Sequence, residues 1–180
     1  GGGTDPTGTG GTAAGGVLGT GGTPTTAGTG GTLPTGKIHH VSPTGKSAND
    51  GASFASALDL ATALGRVAPG ETILMQGGTY PIPFQAGISN TITLSKAGTA
   101  DQPLNLFAES GKIATIDFQC PENTFVDQSV GLMLSGSYWH FRGIAVMRSP
   151  YQGVYVTGSH NTFENCAFHD NRNTGLEINK

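Results

Sequence analysis

The sequence predicts an all-β fold, a parallel β-helix in which short strands wind into stacked coils, because one pattern recurs every 22 residues. Segments 131–136, 153–158 and 175–179 share glycines and apolar residues at that spacing. In the same register Phe141 falls over Phe163, and Val146 falls over Phe168. A unit this short, without a helix, cannot bury its own apolar face, whereas stacked copies build one continuous core. Strands that recur in one direction around a coil pair in parallel.

Two rival folds with similar features fit the pattern less well. Leucine-rich repeats have a comparable period, but they need leucine at several fixed positions where this chain has Met133, Tyr155 and Glu177. A β-sandwich is disfavoured because two-residue hairpin turns such as Asn-Gly between equal strands are missing. The solenoid therefore remains the preferred prediction.

Residues 1–36 predict a disordered linker. They hold 15 Gly and 11 Thr, a single charge at Asp5 and no aromatic side chain. Such a segment buries too little apolar surface to offset the entropy lost on ordering. We expect it to be a flexible tether, or simply a disordered tail, and expect no chemistry before Lys37.

A capping helix is predicted at about 53–67, before the coils begin at about 72. Phe54, Ala57, Leu58, Ala61 and Leu64 recur at helical spacing, and Ser53 can cap the start. An amphipathic helix over the first coil would protect its open apolar end. Strands are predicted at 72–76, 91–94, 104–107 and 114–118. The sequence stops inside the strand that begins at residue 175, so we expect 37–180 to be the N-terminal portion of a longer solenoid.

Composition excludes two classes of partner. Charged residues make up 12% of the chain, the formal net charge is -3 and no run of Lys or Arg occurs, which argues against a nucleic-acid-binding protein. The apolar stretches are far shorter than the roughly 20 residues that a membrane span needs.

Two cysteines cannot form a disulfide scaffold. A buried free thiol at Cys166 and a Cys120–Cys166 disulfide both remain open.

The motifs resemble those of a known family. Residues 40–45 (HVSPTG), 49–51 (NDG), 69–73 (PGETI) and 77–80 (GGTY) resemble, in this order, the opening of exported carbohydrate-active β-helix proteins. Residues 136–144 (GSYWHFRGI) and 165–176 (NCAFHDNRNTGL) are more specific and look like the pectate lyases of polysaccharide lyase family 9. The resemblance covers roughly 38–180.

This resemblance implies a right-handed parallel β-helix and a secreted, monomeric enzyme. The implied reaction is a calcium-assisted β-elimination on polygalacturonate or a similar acidic plant polysaccharide. Calcium takes six to eight oxygen ligands, which on a solenoid means acidic side chains stacked over successive coils. In the 22-residue register Asp127 falls over Ser149, and Glu177 falls under Tyr155, so no acids stack. We therefore assign no catalytic or metal residue here, expect those residues beyond 180 and expect this piece alone to be inactive.

Three residues are candidates for binding substrate: Arg148, Asp170 and Arg172. An arginine facing a groove would suit a polymer of carboxylates, because its guanidinium can hold a carboxylate bidentately. The competing interpretation, which we prefer, makes Arg148–Asp170 and Arg142–Glu164 surface ion pairs one coil apart.

Two further readings stay open. The aromatic side chains Tyr138 and Trp139 either pack a coil corner or stack on sugar. For function, the alternative to an enzyme is a non-catalytic β-helix that binds polysaccharide at the cell surface, and a phage or adhesin β-helix is a third class.

Overall fold

The fold was obtained as a computed structural model, which describes residues 33–87 and 90–179. Most of the predicted linker, residues 1–32, lies outside the described residues. Fifteen elements follow: a 3-10 turn at Phe54–Ser56, a helix and thirteen strands. The helix α1 is Leu60–Arg66, and the strands are β1 (Ile38–Val41), β2 (Thr72–Met75), β3 (Gly78–Pro81), β4 (Ile92–Leu94), β5 (Leu104–Ala108), β6 (Ala114–Asp117), β7 (Leu132–Leu134), β8 (Trp139–Arg142), β9 (Ile144–Met147), β10 (Val154–Val156), β11 (Thr162–Glu164), β12 (Ala167–His169) and β13 (Leu176–Ile178).

The strands form three parallel sheets, which are the faces of a solenoid. The first sheet has the order β1-β2-β5-β8-β11, the second β12-β9-β6-β3 and the third β13-β10-β7-β4. Every strand pair described is parallel, and from β2 onwards the chain visits the three sheets in turn on each coil. The predicted parallel β-helix is therefore confirmed.

The predicted register holds in the two last described coils. Leu132 pairs with Val154, and Val154 pairs with Leu176, at the 22-residue spacing read from the sequence. Phe141 pairs with Phe163 as predicted. The preceding coils are longer, because Ile73, Leu106 and Phe141 are successive partners in the first sheet at spacings of 33 and 35 residues. The extra residues form loops, so the 22-residue pattern does not extend to these coils in the sequence.

Close backbone contacts between coils explain the glycines of the repeat. A Cβ atom at Gly153 would lie 2.6 Å from the carbonyl oxygen of Gly175 in the next coil. At Gly158 it would lie 1.9 Å from the carbonyl oxygen of Gly136 in the coil before. Any side chain at these positions would push the coils apart, so the 22-residue pattern marks where one coil rests on another.

The capping helix is shorter than predicted and starts later. The sequence predicts a helix over 53–67 capped by Ser53, but α1 begins at Leu60 and its cap is Asp59, whose carboxylate accepts a hydrogen bond of 2.8 Å from the Thr62 amide. Residues between the 3-10 turn and α1 stay extended, because Leu58 makes a parallel bridge to Val41 at the edge of the first sheet. The prediction of one helix from Ser53 is therefore wrong: Ser53 precedes the 3-10 turn without a side-chain capping bond, and the α-helix begins only at Leu60.

Stacked aromatic rings fill the interior at the last described coils. Phe141 and Phe163 stack with their centroids 4.9 Å apart, and Phe163 meets Phe168 edge to face. Trp139, only 1% exposed, lies 5.8 Å from Phe141. Rings placed one coil above another give the solenoid a continuous apolar core.

Candidate functional site

The three candidate binding residues lie at one corner of the solenoid, between the second and third sheets. Arg148 follows β9 and Asp170 follows β12, one coil apart, and both adopt left-handed backbone with φ of 52° and 54°. Gln119, which follows β6 in the preceding coil, repeats this conformation with φ of 51°. Such conformations are uncommon for residues other than glycine. The backbone therefore has the same left-handed conformation at this corner in three successive coils.

Arg148 forms an ion pair that the sequence analysis missed. Its Nε donates a hydrogen bond of 2.7 Å to Asp117 Oδ1, and its Nη2 donates to Asp117 Oδ2. This bidentate contact lowers the pKa of Asp117 and raises the pKa of Arg148. The Asp117 side chain is 6% exposed, whereas that of Arg148 is 41% exposed. The guanidinium thus covers a buried carboxylate and keeps one edge towards solvent.

The predicted Arg148–Asp170 ion pair is wrong in its partners. The Asp170 carboxylate instead meets His169 Nδ1 at 2.9 Å, and its charge contributes only weakly to raising the pKa of Arg148. Register alone placed Asp170 beside Arg148 in the following coil. The guanidinium instead contacts Asp117 in the preceding coil, where a buried carboxylate would otherwise be left without a cation.

Arg172 reaches across the corner without a carboxylate partner among the described residues. Its Nη2 donates a hydrogen bond of 2.6 Å to the Cys120 carbonyl oxygen, and its backbone amide donates to the Ser149 carbonyl. Its Nε is buried with no hydrogen-bond partner in the described part of the chain. The guanidinium of Arg172 is therefore held by a neutral carbonyl, and no carboxylate of the described residues forms an ion pair with it.

The arginine cleft, as we name this depression, has a volume of about 500 Å³. The structure brings all three predicted residues together in its wall. The complete described lining is Glu122, Asn123, Arg148, Asp170, Asn171 and Arg172. Glu122 and Asn123 escaped the sequence analysis because they lie in the 118–131 loop between β6 and β7, outside the 22-residue register. The length of this loop is the sequence feature that could have indicated these two residues.

The Arg142–Glu164 pair, also predicted from register, is not an ion pair. The two residues are partners between β8 and β11, but the Arg142 guanidinium lies 4.0 Å from the centroid of the Phe107 ring. Glu164 instead meets His140 Nε2 at 3.1 Å. Arg142 lies against the Phe107 ring in the preceding coil, where a cation–π contact is favoured over an ion pair that solvent would screen.

The aromatic pair of the 136–144 motif packs the coil. Trp139 is buried, and its Nε1 donates a hydrogen bond of 2.8 Å to the Lys96 carbonyl oxygen. Tyr138 stacks on His160 one coil away, with centroids 4.6 Å apart and planes 5° apart. The packing interpretation is confirmed for Trp139, whose ring is closed to a sugar.

Both cysteines are free thiols, so the disulfide alternative is wrong. Cys120 lies at the corner after β6, where its thiol is 3.5 Å from the Thr124 carbonyl oxygen. Cys166 lies between β11 and β12 at a different corner and packs against the core. Burial raises the pKa of the Cys166 thiol. The two residues occupy different edges of the solenoid and do not face one another.

The described residues do not fit a calcium ion. Within 33–87 and 90–179 no three His, Cys, Asp or Glu side chains group together. Glu177 pairs in register with Tyr155, and Tyr155 with Met133, so its carboxylate has no acidic neighbour along the third sheet. Calcium needs six to eight oxygen ligands, which these isolated carboxylates do not provide. In the part of the chain that the structure describes, no helix is long and apolar enough to cross a membrane.

Comparison with known proteins identifies close relatives. A family model described as "Pel9A-like, right handed beta helix region" matches residues 39–180. Pectate lyase L of Dickeya chrysanthemi is 50% identical over 133 residues, which are 74% of this chain and 31% of that protein. Pectate lyase L of Dickeya dadantii is 49% identical over the same shares. The chain thus spans about a third of the length of these two relatives.

Solved structures agree with this relationship. A crystal structure of pectate lyase Pel9A matches with a TM-score of 0.80 and 48% identity, over 82% of this chain and 37% of that one. A rhamnogalacturonan lyase matches with a TM-score of 0.63 at 20% identity, which concerns the fold alone. The parallel coils, their register and the family match over 39–180 agree, and the chain belongs to the Pel9A-like family of right-handed β-helix proteins.

Proposed function

We propose that this chain is the polymer-binding N-terminal portion of a secreted pectate lyase that cleaves polygalacturonate by calcium-dependent β-elimination. Support comes from two relatives named pectate lyase L that are about half identical to it. The chain covers about a third of their length, which leaves room for further coils. We propose that the calcium and the catalytic base belong to those coils, that the protein acts outside the cell and that it acts as a monomer.

The reaction defines what this chain would contribute. β-Elimination on a uronic-acid polymer removes a proton from the carbon beside the carboxylate, so that carboxylate must be neutralised. Since the described residues do not fit the metal, we assign them no step of the reaction. Their proposed role is to bind the polymer and fix its position along the solenoid. Binding energy from these coils would then help to position the reacting sugar in the further coils.

The observation that carries this proposal is that Arg172 in the arginine cleft has no ion-pair partner among the described residues. Its guanidinium is fixed by a carbonyl, has no carboxylate partner among the described residues and lies beside the partly exposed Arg148. A uronate carboxylate would supply the missing counter-charge through a charge-assisted hydrogen bond, worth about 1.5–3 kcal/mol. Glu122 and Asp170 at the same cleft would repel other carboxylates and so restrict where the polymer carboxylate sits.

The test is polygalacturonate binding by Arg172→Ala. We expect the affinity to fall about tenfold or more, because that is the fold-change for about 1.4 kcal/mol. Arg172→Lys keeps the charge without the fork and should lose less. Arg142→Ala is the matched control, since it removes an arginine from the first sheet in the preceding coil, away from the cleft. Equal affinities of Arg172→Ala and the unchanged chain would refute a role for the cleft.

A second candidate function, a non-catalytic polysaccharide-binding module, is favoured by one observation: no acidic cluster forms among the described residues. The two candidates differ in what the longer protein does. Release of unsaturated oligosaccharides from polygalacturonate by that protein supports the lyase, and binding without release supports the module.

A further inference from the structure

A second depression lies on the third sheet, and nothing in the proposed function uses it. We name it the tyrosine groove and define it by Met133, Tyr151, Gln152, Tyr155 and Glu177; its volume is about 420 Å³. Pockets for small ligands commonly have a volume of about 300–1,000 Å³ and combine aromatic walls with a few placed polar groups. The groove has both features.

The floor of the groove follows from the register of three stacked strands. Met133 on β7, Tyr155 on β10 and Glu177 on β13 are direct partners in successive coils. The residues flanking Tyr155, Val154 and Val156, are buried, so the alternation of the strand turns Tyr155 outwards. A thioether, a phenol ring and a carboxylate therefore line one outer face in a row.

Contacts between neighbouring coils hold the polar groups in place. Gln152 Nε2 donates a hydrogen bond of 2.9 Å to Glu177 Oε2, and Asn179 Nδ2 donates to the Tyr155 hydroxyl oxygen. Gln152 itself is 5% exposed, so neighbouring atoms restrict its side chain. Groups fixed before a ligand arrives lose less freedom on binding.

The charge of the groove distinguishes it from the arginine cleft. None of its described lining residues is Lys or Arg, and its single ionisable acid is Glu177. A uronate carboxylate in the groove would face a like charge without a cation. An uncharged sugar avoids this repulsion and offers hydroxyl donors, which a carboxylate accepts in charge-assisted hydrogen bonds. The apolar face of a pyranose ring can lie against Tyr155.

We propose that the tyrosine groove is a subsite for an uncharged hexopyranose unit, with Tyr155 as the platform for the ring and Glu177 as the acceptor for its hydroxyls. The two depressions are then complementary. One takes the acidic backbone of a polymer and the other takes a neutral sugar of the same or a neighbouring chain. The groove stands on its own residues, so it does not require the proposed function of the cleft to be right.

The test measures binding of a linear galactan oligosaccharide to the complete 180-residue chain by calorimetry. We expect Tyr155→Ala to weaken binding about tenfold or more, and Glu177→Gln to weaken it several-fold because the charge assistance is lost. Tyr138→Ala is the matched control: it removes a half-buried tyrosine that stacks at another corner. Arg172→Ala should leave galactan binding unchanged.

Each outcome decides one proposal. No binding of the galactan at about millimolar concentration, or binding that neither Tyr155→Ala nor Glu177→Gln weakens, overturns the subsite. If Tyr155→Ala does not fold, Glu177→Gln decides alone, since it keeps the size of the side chain and an oxygen for the Gln152 contact. Loss of polygalacturonate binding in Arg172→Ala tests the cleft separately, so failure of one proposal is distinguishable from failure of the other.

Discussion

The arginine cleft and the tyrosine groove are built by the same coils, yet their chemistry differs. Both include residues of the corner between the second and third sheets. The cleft contains two guanidiniums beside acids, whereas the described lining of the groove has one carboxylate and no cation. Positions one coil apart support each other's backbone and leave their outward side chains free to differ. The difference shows that the repeat of a solenoid determines the positions of the side chains, whereas the identity of the outward residues determines which ligand a depression binds.

The largest expected effect concerns the carboxylate under the cleft. Asp117→Asn removes the charge that Arg148 covers and should reduce the free energy of unfolding by about 1–3 kcal/mol. It should also loosen Arg148 and weaken polygalacturonate binding. The tyrosine groove lies on another sheet and should keep its galactan affinity. Chemical denaturation and calorimetry measure these three quantities, and equal losses at both depressions would break the comparison.

Acid should reproduce this effect in the unchanged chain. The pKa of Asp117 is lowered from 3.8 in the folded protein, chiefly by the Arg148 hydrogen bonds. The stabilisation is therefore present above the unfolded value and is lost as the pH falls through the folded pKa. The stability difference between the unchanged chain and Asp117→Asn should shrink below about pH 4. A difference that stays constant to lower pH would show that the ion pair does not supply it.

A smaller effect is expected from salt. Raising the ionic strength from about 0.1 M to about 1 M shortens the screening length from roughly 10 Å to roughly 3 Å. Polygalacturonate binding at the cleft should weaken several-fold, because it depends on opposite charges at partly exposed arginines. Galactan binding at the groove should hardly change. Titrations with both ligands at the two ionic strengths check this, and parallel weakening would mean that the two depressions share one mode of binding.

Much of the fold could be predicted from the sequence, because close contacts between coils require glycines at regular positions. Gly153 and Gly158 are required where one backbone touches the next, and Phe141 over Phe163 continues the core. Periodicity fails where loops lengthen a coil, as between Leu106 and Phe141. It also failed at the capping helix, because an edge contact keeps Leu58 extended despite its helical spacing.

The candidate site could be located by sequence but its contacts could not. Register placed Arg148 beside Asp170, and the structure does bring both to one cleft. The chosen partner of Arg148 is Asp117, which belongs to a coil of different length and so has no fixed spacing from it. Side chains at the surface select partners by burial and charge, which a one-dimensional register does not contain.

One measurement tests the central claim, that these coils bind the polymer without cleaving it. The 180-residue chain is incubated with polygalacturonate and calcium, and unsaturated product is followed by its ultraviolet absorbance. The account predicts no increase in absorbance, because the described residues do not fit the metal. A calcium-dependent increase that a chelator abolishes would contradict it and would place the reactive site within this chain.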